Sequence, residues 1–203
     1  AGIAHEFKNA LATISGYAQM IRSEAQPGTD LREHGELILQ QTRALTHVVT
    51  EFLKFARPLQ LADERVALRP MIDQVLSEIA ETLPEVSITA VGEFVDVSGD
   101  DALLRQAILN LARNAAEAVA GNPGGGRVII RGDIDPPGTL QGQRISIVDN
   151  GPGIPPEAIA KVFMPFYTTK ANGTGLGLAV VQKIVVQHGG TVEARNQPQG
   201  GAE

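Results

Sequence analysis

Apolar residues in the first 58 positions recur at the spacing of two amphipathic helices. Ile3, Phe7, Ala10, Ile14, Tyr17 and Ile21 fall at a/d intervals. Ile38, Gln41, Leu45, Val48, Phe52 and Phe55 repeat the device up to Pro58, with Gln41 a polar intruder that serves as a register mark. Between the two runs, Gln26-Pro27-Gly28-Thr29-Asp30 breaks the period with turn chemistry, and Asp30 stands where it can cap the second helix. A hairpin of two such helices buries only one face of each. Pairing two hairpins into a four-helix bundle covers the rest, so the pattern predicts a two-fold homodimer. His5 lies roughly 200° around the helix from Ile3 and is bracketed by the seam residues, which points its imidazole outward.

After Pro58 the period changes. Residues 59–65, LQLADER, read as a short linker into a second domain over residues 66–203. Leu68–Leu83 has a helical stripe (Met71, Ile72, Val75, Leu76, Ile79) stopped by Pro84. Val86–Val91 and Val95–Ser98 alternate as strands, and Asp100 and Asp101 begin a helix with Leu104, Ile108, Leu111 and Ala115 on its buried side. Arg127–Ile134 and Gln143–Val148 form strands around an Asp-Pro-Pro-Gly loop. A helical run at Leu176–Val186 and a last strand at Val192–Asn196, entered through Gly189-Gly190-Thr191, complete the domain. Mixed strands with helices segregated to one side predict an α+β chain: a helical hairpin followed by an α/β sandwich, not a parallel Rossmann sheet.

Composition narrows the function classes. The chain has 203 residues with 43% hydrophobic content, enough for one large or two small cores. A net charge of −6 argues against a general nucleic-acid partner, and the absence of tryptophan argues against base-stacking platforms. Cysteine is absent, which excludes disulfides and thiolate metal sites and fits a reducing, cytoplasmic setting. No apolar run reaches the roughly 18–20 residues of a membrane span, so no membrane contact is expected of this stretch.

Candidate chemistry in the second domain sits in four places. Val148 ends a strand and delivers Asp149 onto the turn DNGPG, where Gly151 and Gly153 let backbone approach a ligand. A carboxylate there can accept a hydrogen bond from an exocyclic amine such as that of adenine. GTGLGL (Gly173, Thr174, Gly175, Leu176, Gly177, Leu178) runs straight into a helix, the arrangement of a phosphate-binding site. Its GxGxG spacing, with no strand immediately before it, is not the dinucleotide fingerprint. Asn110 and Asn114 lie one turn apart on the Asp101 helix, where mid-helix asparagine is mildly unfavourable and needs a reason. Thr168, Thr169 and Lys170 stand between the glycine motifs, in a Pro155–Gly173 stretch that reads as a mobile lid.

DNGPGIP, FMPFYTTK and GTGLGL, in that order, resemble the ATP-binding half of bacterial two-component sensor histidine kinases, in the Bergerat-fold ATPase group. NLARNAAEAV (Asn110–Val119) and AHEFKNAL (Ala4–Leu11) match that family's remaining two signatures, so the resemblance covers essentially the whole chain. It implies ATP and Mg²⁺ as cofactors, with the metal at Asn114. The nucleotide would lie among Asn110, Asn114, Asp149, Gly151, Gly153, Thr169, Lys170, Gly173, Thr174, Gly175, Leu176 and Gly177. It implies His5 as the phosphorylated residue, Glu6 as its base, and Asn9 as the residue that orients water for regulator dephosphorylation. A receiver-domain response regulator is the implied partner. Glu117, later on the Asn helix, reads as structural. Ala10 stands where the family often has proline, which implies a straighter first helix. The abrupt start before His5 and the stop at Gly-Gly-Ala-Glu read as a fragment lacking its input region and C-terminal end, from a parent open to anchoring at the inner membrane. Two alternatives remain: an ATPase of the same fold without phosphotransfer, and a dimerisation module inactive toward nucleotide.

Overall fold

The computed structural model describes residues 2–134, 142–170 and 173–203, with the side chains of 2–5 and 54 outside the description. The expected Asp-Pro-Pro-Gly loop lies outside the described residues. Two compact units divide the chain, residues 1–58 and 59–203.

The first unit is a hairpin of α1 (Gly2–Glu24) and α2 (Asp30–Ala56). Gly28 takes φ 80° in the connecting turn. Thr29, not Asp30, occupies the N-cap position, and its hydroxyl donates back to the Gln26 carbonyl; Asp30 instead stands in the first turn. There its charge complements the helix dipole. The contact between α1 and α2 differs from the anticipated seam. Leu11 and Ala18 of α1, and Ala25 just beyond its end, are buried, as are Gly35, Leu39 and Thr42 on α2. A Cβ on Gly35 would stand 3.1 Å from the Arg22 amide nitrogen, so the helices approach closely where Ala18 and Gly35 face each other. Phe7, Ile14 and Tyr17 are 53%, 46% and 65% exposed, and Ile38 and Leu45 are also open. That stripe lies roughly 60° around α1 from the buried one. The small residues chose which stripe the chain uses for itself.

The second unit is a two-layer α/β structure, in keeping with the α+β expectation. β1 (Glu64–Val66) pairs antiparallel with β3 (Val97–Gly99). The main sheet has order β2 (Val86–Gly92), β4 (Gly126–Ile134), β5 (Gln143–Asp149), with β2 parallel to β4 and β4 antiparallel to β5. The expected linker is partly structured, since Glu64 and Arg65 belong to β1 and the Ala62 N–H donates to the Asp100 carboxylate at 3.1 Å.

α3 (Leu68–Thr82) and α4 (Asp101–Val119) cover one sheet face. Val128 and Ile130 of β4 meet Ile72, Val75 and Ile79 of α3 and Ile108, Ala112, Ala116 and Val119 of α4, all within one core. Each such isoleucine contributes about 1.5–3 kcal/mol by leaving water. The alanines let α4 lie close to the sheet. Asp100 caps α4 by accepting the Leu103 N–H at 3.0 Å. Arg105 and Arg113 of α4 both pair with Glu78 of α3. α5 (Pro156–Ile159) is a single turn, and α6 (Gly177–Gln187) packs on α4 through Val181, Ile184 and Ala107.

One expected element is absent as such. Residues 192–196 form no strand; Asn196 makes an isolated antiparallel bridge with Ala202. The segment is half of a tight hairpin in which Arg195 and Glu203 exchange backbone hydrogen bonds of 2.8 Å. Its far limb docks on the end of β5, where the Asp149 N–H donates to the Ala202 carbonyl at 3.0 Å.

Candidate functional site

Helix α4 organises the candidate site. Ile108, Ala112, Ala115, Ala116 and Val119 are buried toward the core. At about 100° per residue, Asn110, Asn114 and Glu117 fall on the opposite side of the helix, roughly 180° away. All three therefore stand where a ligand can reach them without disturbing the core.

Each end of that face meets one glycine motif. At the N-terminal end, the Asn110 amide approaches the Gly177 carbonyl at 3.5 Å. At the C-terminal end, the Gly151 position lies 3.3 Å from the Ala118 carbonyl, measured from where a Cβ would be. Asn110 to Ala118 is about 12 Å of helix at 1.5 Å per residue. That is a length comparable to an extended nucleoside triphosphate.

The DNGPG loop is held on all sides. Asp149 is buried, and its Oδ1 accepts the Gly151 N–H at 2.8 Å and the Ala202 N–H at 3.2 Å. Only Oδ1 is used in this way among the described residues. Asn150 ties the loop to β4 by accepting the Arg127 N–H at 2.7 Å and donating to the Gly125 carbonyl at 3.0 Å. Asn122 donates to the Asn150 carbonyl. Asn196 clasps Ile154, accepting its N–H and donating to its carbonyl, both at 2.7 Å. These asparagines were not singled out in the sequence. Asn150 had a signal, its place inside DNGPG; Asn122 and Asn196 had none.

At the other motif, Gly175 has φ 66° and its carbonyl accepts the Phe166 N–H at 2.9 Å. A Cβ there would fall 2.4 Å from the Phe166 carbonyl carbon, so only glycine fits. Phe166 itself holds φ 66°, a conformation that costs a bulky residue about 1–2 kcal/mol. Leu176 is buried beneath the motif. Thr174 Oγ1 accepts the Leu176 N–H at 3.4 Å. α6 begins at Gly177 with no side-chain cap and no acidic residue in its first turn. Its leading N–H groups are thus left to an anion.

Lys170 crosses to α4. Its Nζ donates to Asn114 Oδ1 at 3.1 Å and pairs with the Glu117 carboxylate. Thr169 beside it is exposed, and Gly173 packs against the Thr168 side chain. Glu117 thereby joins the site; its spacing of three from Asn114 was the available signal. Asn114 and Glu117 supply two hard oxygens that already converge on a cation, the Lys170 ammonium, which is the donor chemistry a divalent ion such as Mg²⁺ takes.

In the first unit, His5 belongs to α1, with its side chain outside the described residues. Glu6 and Asn9 are exposed on the same helix. α1 runs unbroken past Ala10. A concavity of about 530 Å³ opens between α1 and α2 against Lys8, Leu11, Ser15 and Arg43. None of the expected site residues lines it. Among the described residues no helix is long and apolar enough to cross a membrane.

Residues 99–203 match the family described as Histidine kinase-, DNA gyrase B-, and HSP90-like ATPase, which sets the class of the second unit. Residues 1–60 match the His Kinase A (phospho-acceptor) domain. The sensor histidine kinase ZraS of Escherichia coli K12 is 35% identical over 201 residues, covering 97% of this chain and 42% of ZraS. The chain thus spans less than half of that relative. Full-length ShkA in complex with AMPPNP superposes with a TM-score of 0.72 at 26% identity, over all of this chain and 43% of ShkA. Histidine kinase ThkA in complex with the response regulator TrrA gives 0.66 at 25% identity, over all of this chain and 58% of ThkA. The chain belongs to the two-component sensor histidine kinases, of which it carries the catalytic-core region.

Proposed function

We propose that this region binds ATP with Mg²⁺ and transfers the γ-phosphoryl group to the His5 imidazole, releasing ADP. The observation that carries the reading is the two-ended face of α4. A buried carboxylate for the base (Asp149) lies at one end, and the Gly175 turn with the uncapped N–H groups of α6, which begins at Gly177, lies at the other. The Gly151, Gly153 and Gly173 backbone, with Thr169, Thr174 and Leu176, shapes the path between them, and Asn110 stands at the phosphate end. Bound Mg²⁺, at Asn114, would neutralise charge on the transferred group. Imidazole is a competent nucleophile when one ring nitrogen is free and the other is held by an acceptor. Glu6, adjacent in sequence, is that acceptor in our reading, with Nε2 attacking phosphorus and the ADP oxygen leaving in line.

Phosphohistidine then passes its phosphoryl group to an aspartate of a receiver-domain regulator, and Asn9 positions water for the reverse dephosphorylation. Residues 1–58 serve as the dimerisation and phosphotransfer hairpin, residues 59–65 as the connection, and residues 66–203 as the ATP-binding domain. The open stripe of Phe7, Ile14, Tyr17, Ile38 and Leu45 supports a homodimer, since a second hairpin is the element that covers two such stripes at once. The absence of cysteine fits action in the cytoplasm, and the net charge of −6 fits the absence of a nucleic-acid partner.

The test is incubation with γ-labelled ATP. Label that is acid-labile and base-stable, present in the native chain and absent in His5→Gln with nucleotide affinity retained, is the expected result. Phosphate release without phosphoprotein would instead identify an ATPase of the same fold, and neither binding nor labelling would identify a docking module.

A further inference from the structure

The partnership of Lys170 with α4 goes beyond phosphate binding. Its ammonium sits between an amide oxygen of Asn114 and a carboxylate oxygen of Glu117, three residues apart on one helix face. The side chains of Lys170 and Glu117 are 46% and 42% exposed, so this ion pair is hydrated and exchangeable. A divalent metal at Asn114 and the Lys170 ammonium cannot share that seat, because like charges a few Å apart repel. A triphosphate arriving without metal meets the Glu117 carboxylate as a like charge.

We propose that Asn114 and Glu117 form a two-oxygen cation seat, that Lys170 fills it as a tethered cation in the absence of nucleotide, and that Glu117 is the positioning residue that makes nucleotide binding metal-dependent. This rests on the nucleotide reading above. Entry of the metal–nucleotide returns a cation to the seat and frees Lys170 to pair with phosphate oxygens. Net charge at the seat therefore never falls to that of a bare carboxylate beside phosphate. Glu117 acts through the metal or its bound water and takes no part in bond making.

The experiment is calorimetric titration of the chain with a non-hydrolysable ATP analogue, once with Mg²⁺ and once with EDTA, for the native protein, Glu117→Gln and Glu117→Asp. The native protein should bind more tightly with Mg²⁺. In Glu117→Gln the ratio of the two affinities should shrink on the order of tenfold, the scale of one unit charge a few Å from a divalent ion in high dielectric. Metal-free binding should strengthen in that variant, and Glu117→Asp should keep most of the native ratio. An unchanged ratio in Glu117→Gln, with native binding intact, overturns the inference alone. Absence of binding by the native chain under both conditions overturns the nucleotide reading and this inference with it.

Discussion

Gly200 and Gly201 offer a paired measurement of how Asp149 is held. Both have positive φ, 96° and 89°. A Cβ on Gly200 would meet nothing within 4 Å, whereas one on Gly201 would fall 1.9 Å from the Asp149 carbonyl oxygen. Gly200→Ala therefore carries only the backbone penalty of a left-handed alanine, about 1–2 kcal/mol. Gly201→Ala carries the same penalty and also forces the hairpin limb off β5. Three hydrogen bonds go with it: Asp149 N–H to Ala202 O, Ala202 N–H to Asp149 Oδ1, and Gln197 N–H to Gly201 O. At a net of about 1 kcal/mol each, and with the backbone penalty added, Gly201→Ala should cost about 4–5 kcal/mol in total. Urea unfolding of residues 59–203, followed by circular dichroism, reads both values. Because Asp149 Oδ1 loses one of its two N–H donors, Gly201→Ala should also weaken binding of adenine nucleotides, while Gly200→Ala should not. Equal unfolding midpoints for the two variants would refute the claim that this limb fastens the Asp149 carboxylate.

Further expectations concern the cap and the open stripe. Asp100→Ala should destabilise the second unit by about 1 kcal/mol, since the side chain satisfies the Leu103 N–H at the start of α4. The Leu103 and Ala62 N–H groups hold the Asp100 carboxyl below its ordinary value of 3.8. A depressed carboxyl contributes stability that is fully present above that ordinary value and is lost as pH falls through the lower folded one. Native and Asp100→Asn unfolding free energies measured down the acid limb should therefore converge below about pH 4. Tyr17→Glu, at a 65% exposed position, should convert a homodimer to monomer by light scattering without loss of helix, and a persistent dimer would remove this stripe from the interface.

The glycine motifs, the α4 stripe and the succession of helices and strands from α3 to β5 were readable because each is a local rule. A helix periodicity, a strand alternation or a GxGxG step is written in consecutive residues. What escaped the reading depends on separation in sequence. Ala18 and Gly35 decide how α1 meets α2, but their smallness matters only once the helices are side by side. The 192–196 stretch has strand-like residues and its partner limb is Gly-Gly rich, so pairing shrinks to one bridge. Glu117 read as a structural residue because its partner, Lys170, lies far along the chain. The asparagines at 122 and 196 act on backbone groups of other loops, which no spacing announces.

Helix α4 makes stability and chemistry separable, and Asn114 is where that can be measured. Its buried side, Ala112, Ala115, Ala116 and Val119, supplies the core contacts, while Asn114 faces away and touches Lys170 alone among the hydrogen-bonding side chains described. Alanine is a better helix former than asparagine by roughly 0.5 kcal/mol or more at an interior position. Breaking the exposed Lys170 contact offsets part of that gain, since such surface contacts are worth about 0–1 kcal/mol. Asn114→Ala should therefore leave the urea midpoint within about 0.5 kcal/mol of native, on either side. The same variant should lose Mg²⁺-dependent nucleotide binding. A residue kept against helix propensity, with no stability to show for it, is one retained for the ligand. If Asn114→Ala instead destabilised the unit by 2 kcal/mol or more, on the scale of a lost buried contact, its amide would belong to the packing and the metal assignment would fail.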